Sequence, residues 1–237
     1  MSSPWYIKVS SWFVTLIVPV ALILTTVRVL LSPVFINLEY NTPGFPDDFF
    51  GFTKQDRLYW ANIARIYLLN DQGIDYLGDL RFPDGQLAPP QSCRYMDDCS
   101  LLYNERELKH MLDVKNVVQT ALKVWIGSLF LLAVLGVWAW FGGWWKMFKF
   151  GAGRGGWLTV FLVAGILAFV LLAFGVIFVA FHNVFFEAGT WTFYYSDTLI
   201  RLFPERFWRD TFLAVGLLSG GAGFLLGYFL RDKPSSD

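Results

Sequence analysis

Histidine is almost missing from this chain: His110 and His182 are the whole complement among 237 residues. Imidazole is the side chain whose unperturbed pKa lies nearest neutrality, so any proton transfer it runs has to use one or both of them. Cysteine is as scarce. Cys93 and Cys99 have no further cysteine or histidine nearby to complete a four-ligand zinc set, and no metal site is expected. Charge makes up only 16% of the chain, with 19 basic residues balancing 19 acidic ones. That balance excludes the strongly basic surface of a nucleic-acid binder. The glycine-rich stretch GGWWKMFKFGAGRGG lacks the strand-to-helix setting and the Lys-Ser/Thr ending of a phosphate loop, so no nucleotide partner is expected. No cofactor is implied.

What the chain has instead is apolar and aromatic surface, 55% and 19% of residues, far from the balance of a soluble domain. Four apolar runs have the length a helix needs to cross a bilayer: Trp12 to Leu31, Ala121 to Phe141, Trp157 to Ala180 and Phe212 to Leu230. The first is too long for a signal-peptide core and ends in Ser32-Pro33-Val34-Phe35 rather than a small-residue cleavage pattern, so it reads as a retained span. The expected fold class is an all-α polytopic membrane protein of four transmembrane helices with a mainly helical, loop-rich extracytoplasmic domain. Lys8, the Lys146/Lys149/Arg154 turn and Arg231/Lys233 share one face, which the positive-inside rule makes cytoplasmic. The expected division is a cytoplasmic start and first span (1–31), an extracytoplasmic domain (32–116), a second span (117–141), a cytoplasmic loop (142–156) and a third span (157–180). An extracytoplasmic loop (181–211), a fourth span (212–230) and a cytoplasmic tail (231–237) complete it. No span carries a run of carboxylates, which argues against an ion pump or proton-coupled transporter. Gly216, Gly220, Gly223 and Gly227 give the fourth span spacings that permit close helix approach.

Within the first outer segment, Pro43, Gly44 and Pro46 form a turn-rich ribbon. Thr53 is placed to cap a helix running from Lys54 to near Asn70, with Asp56 and Arg57 on a solvated face. Residues 71–100 are broken by glycine and proline, and no sheet is assigned there. Cys93 and Cys99 stand at a spacing that closes a short loop on oxidation; a structural disulfide is the default, and a catalytic thiol is the unsupported alternative.

Asn104 and Glu107 have capping-box spacing, and the helix they open continues into the second span without glycine or proline. His110 rides on it, on the order of 10 Å above Val117 along the axis, with Glu107 and Asp113 flanking it on the same face. A lone histidine on such a helix is usually a packing residue. His182 ends the third span on the same expected side, so both imidazoles are predicted at one membrane interface, although 72 residues separate them. Ionisable groups at membrane depth are costly and mark substrate or proton paths.

Three blocks, LEYNTPGFPDDFFGFTKQDR, ERELKHMLDVK and FHNVFFEAGTWTFYYSDTLIRLFPERFWRD, resemble the bacterial lipoprotein intramolecular transacylase family over nearly the whole chain. The resemblance implies a multi-pass enzyme of the bacterial cell membrane, its active site facing the extracytoplasmic side and its partners diacylglyceryl-modified lipoproteins and membrane lipids. The implied reaction moves the sn-2 acyl chain of such a lipoprotein to the amino group of its N-terminal cysteine, giving the lyso-form. The histidines on which the family depends map onto His110 and His182. The cysteine pair has no match in the family pattern. Acyl transfer from ester to amine requires a base for the amine, an acid for the departing alkoxide and donors for the oxyanion. Two histidines can divide the first two tasks, in either order. Arg201 is a candidate donor, Glu107 or Asp113 a candidate to orient His110, and Tyr40 and Asn41 candidates to line the pocket. A membrane lipid hydrolase, with water replacing the amine, is one alternative. A non-catalytic lipid- or protein-binding scaffold is another, and it predicts that the histidines stand apart.

Overall fold

The structure is a computed structural model that describes residues 4–83 and 85–230; the tail expected at 231–237, with Arg231 and Lys233, lies outside the described residues. The described residues form α1 (Trp5–Leu30), α2 (Pro33–Tyr40), α3 (Lys54–Leu69), α4 (Asp75–Gly78), α5 (Pro90–Cys93), α6 (Glu105–Phe141), α7 (Trp145–Phe185), α8 (Thr198–Leu202) and α9 (Glu205–Phe229). No strand occurs among them; Arg81 and Leu101 make an isolated antiparallel bridge. Helices α1, α6, α7 and α9, of 26, 37, 41 and 25 residues, are long and apolar enough to cross a membrane. The protein is therefore an all-α polytopic membrane protein with four spans, as the apolar runs predict.

Two compact units divide the chain. One comprises residues 1–29, 121–172 and 212–237. Its core is Val14, Val18 and Ala152, with Leu22, Leu132, Leu135, Phe148 and Leu226 packed on them. The segment 142–156, read from sequence as a connecting turn, is helical from Trp145 onward. Gly142 and Gly143 make the turn between α6 and α7, Gly143 at a φ of +74°, whereas the glycines inside α7 let helices touch. A Cβ on Gly151 would lie 2.5 Å from the backbone oxygen of Ser11, and Ser11 Oγ donates to Met147 O at 2.9 Å. On α9, a Cβ on Gly223 would lie 2.7 Å from Gly156 O, the close approach that its spacing predicts.

The other unit comprises residues 30–120 and 173–211. Ser32 precedes α2 and Pro33 opens it, where its missing N–H leaves no intrahelical bond unmade. Thr53 and Asp56 form a reciprocal capping box at the start of α3. Asn104 N donates to Glu107 Oε2 at 2.9 Å and Glu107 N to Asn104 Oδ1 at 3.1 Å, so the same device starts α6 with Asn as the cap. Tyr67, Leu77, Leu102, Tyr103 and Leu202 are fully buried at the centre of the unit. In and beside the loop-rich stretch 71–100, where no sheet is assigned, backbone bonds run from Phe82 N to Ser100 O, Ala88 N to Cys99 O and Leu102 N to Leu80 O. A Cys93–Cys99 bond closes the intervening loop with the Cα atoms 5.1 Å apart.

Arg57 departs from the solvated face expected of it and is only 4% exposed. Its Nε donates to Arg201 O at 2.8 Å and its Nη1 to Pro46 O at 2.6 Å, while its Cζ sits 4.9 Å from the Tyr40 ring centre. Local periodicity could not reveal this, because the partners come from distant segments.

Candidate active site

On the first turns of α6, Glu107, His110, Met111 and Lys115 are buried, a spacing of three and four residues that defines one helical face. The last turns of α7 carry Phe174, Phe178 and His182 at intervals of four, and Phe186, just past the end of the helix, continues the stripe. These two stripes bring His110 and His182 together. Their ring centres are 6.0 Å apart and their planes 19° from parallel, and both residues are buried.

Aromatic rings wall the pair. Phe186 lies 4.8 Å from His110 and 5.5 Å from His182, and Phe193 lies 5.3 Å from His110. Phe178 and Trp191 lie 4.1 and 4.7 Å from His182. Neither imidazole pairs with a carboxylate, serine or cysteine among the described residues, so neither belongs to a protein nucleophile dyad or a carboxylate-assisted triad there.

The Nδ1 of His182 stands 2.8 Å from Phe178 O. A carbonyl can only accept, so Nδ1 carries the proton and, in the neutral ring, the lone pair is on Nε2. His110 Nδ1 is buried without a hydrogen-bond partner among the described residues. At the exposed rim, Lys109 Nζ on α6 and Glu187 Oε2, in the segment that follows α7, form an ion pair of 3.6 Å. Exposed pairs of this kind add little stability.

The other predicted residues are placed elsewhere in the same unit. Glu107 spends both carboxylate oxygens on the backbone, accepting from Asn104 N at 2.9 Å and Leu199 N at 2.7 Å; it ties α6 to α8 and makes no hydrogen bond to His110. Asp113 is half-buried and makes no hydrogen bond or ion pair among the described residues. Arg201 grips Asp48 with two parallel bonds, Nε to Oδ1 and Nη2 to Oδ2, both 3.0 Å, and lies with Cζ 3.6 Å over the Phe52 ring centre. Burial alone would raise the Asp48 carboxyl, but the hydrogen bonds from Arg201 and Phe52, with the guanidinium charge, outweigh it and hold it below the usual carboxylate range.

Tyr40 and Asn41 line a cavity of about 460 Å³ with Asp48, Phe52, Lys54 and Arg57, and neither His110 nor His182 is among its lining residues. The Tyr40 hydroxyl donates to Leu202 O, and burial pushes its ionisation upward. Asn41 is exposed and accepts from Lys54 Nζ at 2.5 Å. Among the described residues no group of three or more His, Cys, Asp or Glu could hold a metal ion.

Sequence reasoning missed the aromatic wall, Trp191 in particular. A tryptophan flanking an apolar run reads as an interfacial anchor, and only its distance to His182 distinguishes it. Asp48 was missed as well, since nothing local marks it as the partner of a residue 153 positions away.

Residues 11–208 match the family described as Lipoprotein intramolecular transacylase Lit. An uncharacterized protein of Aquifex aeolicus (strain VF5) is 32% identical over 226 residues, covering 92% of each chain. Among solved structures, the membrane integral lipoprotein intramolecular transacylase Lit from Bacillus cereus superposes with a TM-score of 0.71 at 18% identity, over 95% of this chain and 93% of that one. A variant of that protein with one histidine replaced by alanine gives 0.69 at the same identity, over 95% and 92%. The similarity of structure extends to the whole four-span fold. The chain belongs to the lipoprotein intramolecular transacylase family and is an integral-membrane acyltransferase.

Proposed function

We propose that His110 and His182 together move the sn-2 acyl chain of a diacylglyceryl-modified lipoprotein onto the amino group of its N-terminal cysteine, leaving the lyso-form. The observation that carries this reading is the paired, buried arrangement of the only two imidazoles of the chain, 6.0 Å apart. The bond from His182 Nδ1 to Phe178 O supports His182 Nε2 as the base that takes the amine proton. His110 then protonates the departing glyceryl oxygen. Neither ring bonds to a serine or cysteine among the described residues, which supports the substrate amine as the nucleophile, the acyl chain passing directly within one molecule. Holding amine and ester together supplies much of the acceleration as effective molarity.

The aromatic wall suits the lipid part of the substrate, and membrane lipids are the expected surroundings of the site. Lys8, Lys146, Lys149 and Arg154 favour a cytoplasmic placement for the opposite ends of the spans, so the histidines are proposed to face the extracytoplasmic side. Cells expressing His110→Ala or His182→Ala should retain diacylglyceryl-cysteine at a lipoprotein N-terminus, read by mass spectrometry. Full lyso-form production by both variants would overturn the proposal.

A further inference from the structure

Resting on the proposed reaction, we infer that Trp191 supplies the oxyanion donor through its indole Nε1–H. Acyl transfer from ester to amine passes through a tetrahedral intermediate whose former carbonyl oxygen becomes negative, and a positioned N–H lowers that barrier. Trp191 packs its ring 4.7 Å from His182, at 40° to it, and its Nε1 is buried without a hydrogen-bond partner among the described residues. A buried indole N–H ordinarily finds an acceptor, and one left open beside a base is accounted for when the acceptor arrives with the substrate.

The local chain is built to bring this ring back over α7. After α7 ends at Phe185, Thr190 N and Oγ1 both donate to Glu187 O, at 3.2 and 2.8 Å, and Gly189 takes a φ of +86°. That conformation suits glycine, and the reversal returns Trp191 to His182 and to Phe178, whose ring centre lies 6.5 Å away. The donor expected from sequence, Arg201, has Nε and Nη2 engaged by Asp48 and its guanidinium seated against Phe52. Its Nη1 is unpartnered, but its ring contacts are Phe50, Phe52 and Phe82 rather than either histidine.

The step balances without a further reactant. The substrate amine forms a C–N bond to the ester carbonyl and loses its proton to His182, while the carbonyl oxygen gains negative charge and accepts the Trp191 N–H. Trp191 keeps its proton throughout. Collapse re-forms the carbonyl, breaks the glyceryl C–O bond and sends the electron pair to the alkoxide, which receives from His110 a proton that His182 replaces with the one it took from the amine; both imidazoles return to their starting state, and the products are an amide and an alcohol.

Trp191→Phe keeps an aromatic body and deletes the donor. With a synthetic diacylglyceryl lipopeptide, its kcat should fall roughly 100-fold with KM little changed. A lipid phosphonate mimicking the tetrahedral intermediate should lose affinity for this variant by a similar factor, whereas the unreactive diether lipopeptide should bind it as it binds wild type. Wild-type kcat in Trp191→Phe would overturn the inference. His182→Ala run in parallel separates the two readings: if it is active, the proposed reaction fails; if it is inactive while Trp191→Phe is fully active, only the donor assignment fails. Should Trp191→Phe not fold, the wild-type protein decides. Phosphonate should move the Trp191 indole proton resonance, assigned with Trp191→Tyr, downfield, and an unmoved resonance would overturn the inference.

Discussion

His182 Nδ1 bonds to the carbonyl of Phe178, one turn earlier on the same helix, at 2.8 Å, and this bond fixes Nε2 as the nitrogen that carries the lone pair in the neutral ring. The orientation therefore comes from α7 itself rather than from a carboxylate. Asparagine at position 182 can donate its amide to the same carbonyl but cannot accept a proton at the position of Nε2. His182→Asn should accordingly keep wild-type thermal stability in detergent while losing at least about 100-fold in kcat. Matched melting curves and lyso-form production measured on the same preparations check both halves.

Asp48 and Arg201 are each 2% exposed at the side chain and form a two-bond pair. Asp48→Asn leaves a buried guanidinium without its counter-charge and should cost about 3 to 5 kcal/mol. A double replacement with apolar residues, Asp48→Leu with Arg201→Met, should recover much of that loss, as read by thermal unfolding in detergent. Because the Asp48 carboxyl is depressed in the folded state, its contribution is present above the ordinary carboxylate range and fades as pH falls through the folded value.

Glu39 works in the opposite sense. Burial first, then the charge of Asp210 and the hydrogen bond the two carboxyls share, raise Glu39 from 4.5 to about 7, against the lowering effect of Arg206 and Arg209. The folded state then keeps a proton that the unfolded chain releases at lower pH. Stability from this residue is greatest below its ordinary value and declines as pH rises toward 7. Melting temperatures taken from about pH 5 to about pH 8 should fall in the wild type and flatten in Glu39→Gln.

Gly151 meets the Ser11 backbone where α7 crosses α1. Gly151→Leu should destabilise the protein by about 1 to 3 kcal/mol, since the obstructing atom is backbone and cannot swing away. Gly165 has nothing within 4 Å of an added Cβ, and Gly165→Ala should leave the melting temperature unchanged or raise it slightly.

The four spans, the Thr53 cap and the Asn104–Glu107 opening of α6 were legible because their determinants are local: an apolar run, or an acceptor and a donor three residues apart. The expectation of a shared depth for His110 and His182 came from where two such runs end, whereas their 6.0 Å ring separation was not legible there. The choice between turn and contact surface for Gly151 and its neighbours was not local, because glycine serves both and only the facing backbone decides. Arg57, Asp48 and Arg201 were illegible for a related reason. Each is an ordinary surface charge by its own sequence context, and becomes a buried fastener only when chain segments far apart converge. Trp191 was hidden by the abundance of its kind, one of 11 tryptophans in a chain where most aromatics have lipid-facing explanations.

The Asp48–Arg201 clasp also sets an order of assembly. Its halves lie 153 residues apart, with α6 and α7 between them in sequence. During synthesis the first half waits, without its cation, until the second and third spans have been threaded and the segment after α7 has been delivered to the same side. A chain in which Arg201 is not brought to Asp48 keeps a carboxylate without its counter-charge, so the clasp closes only after α6 and α7 have been made.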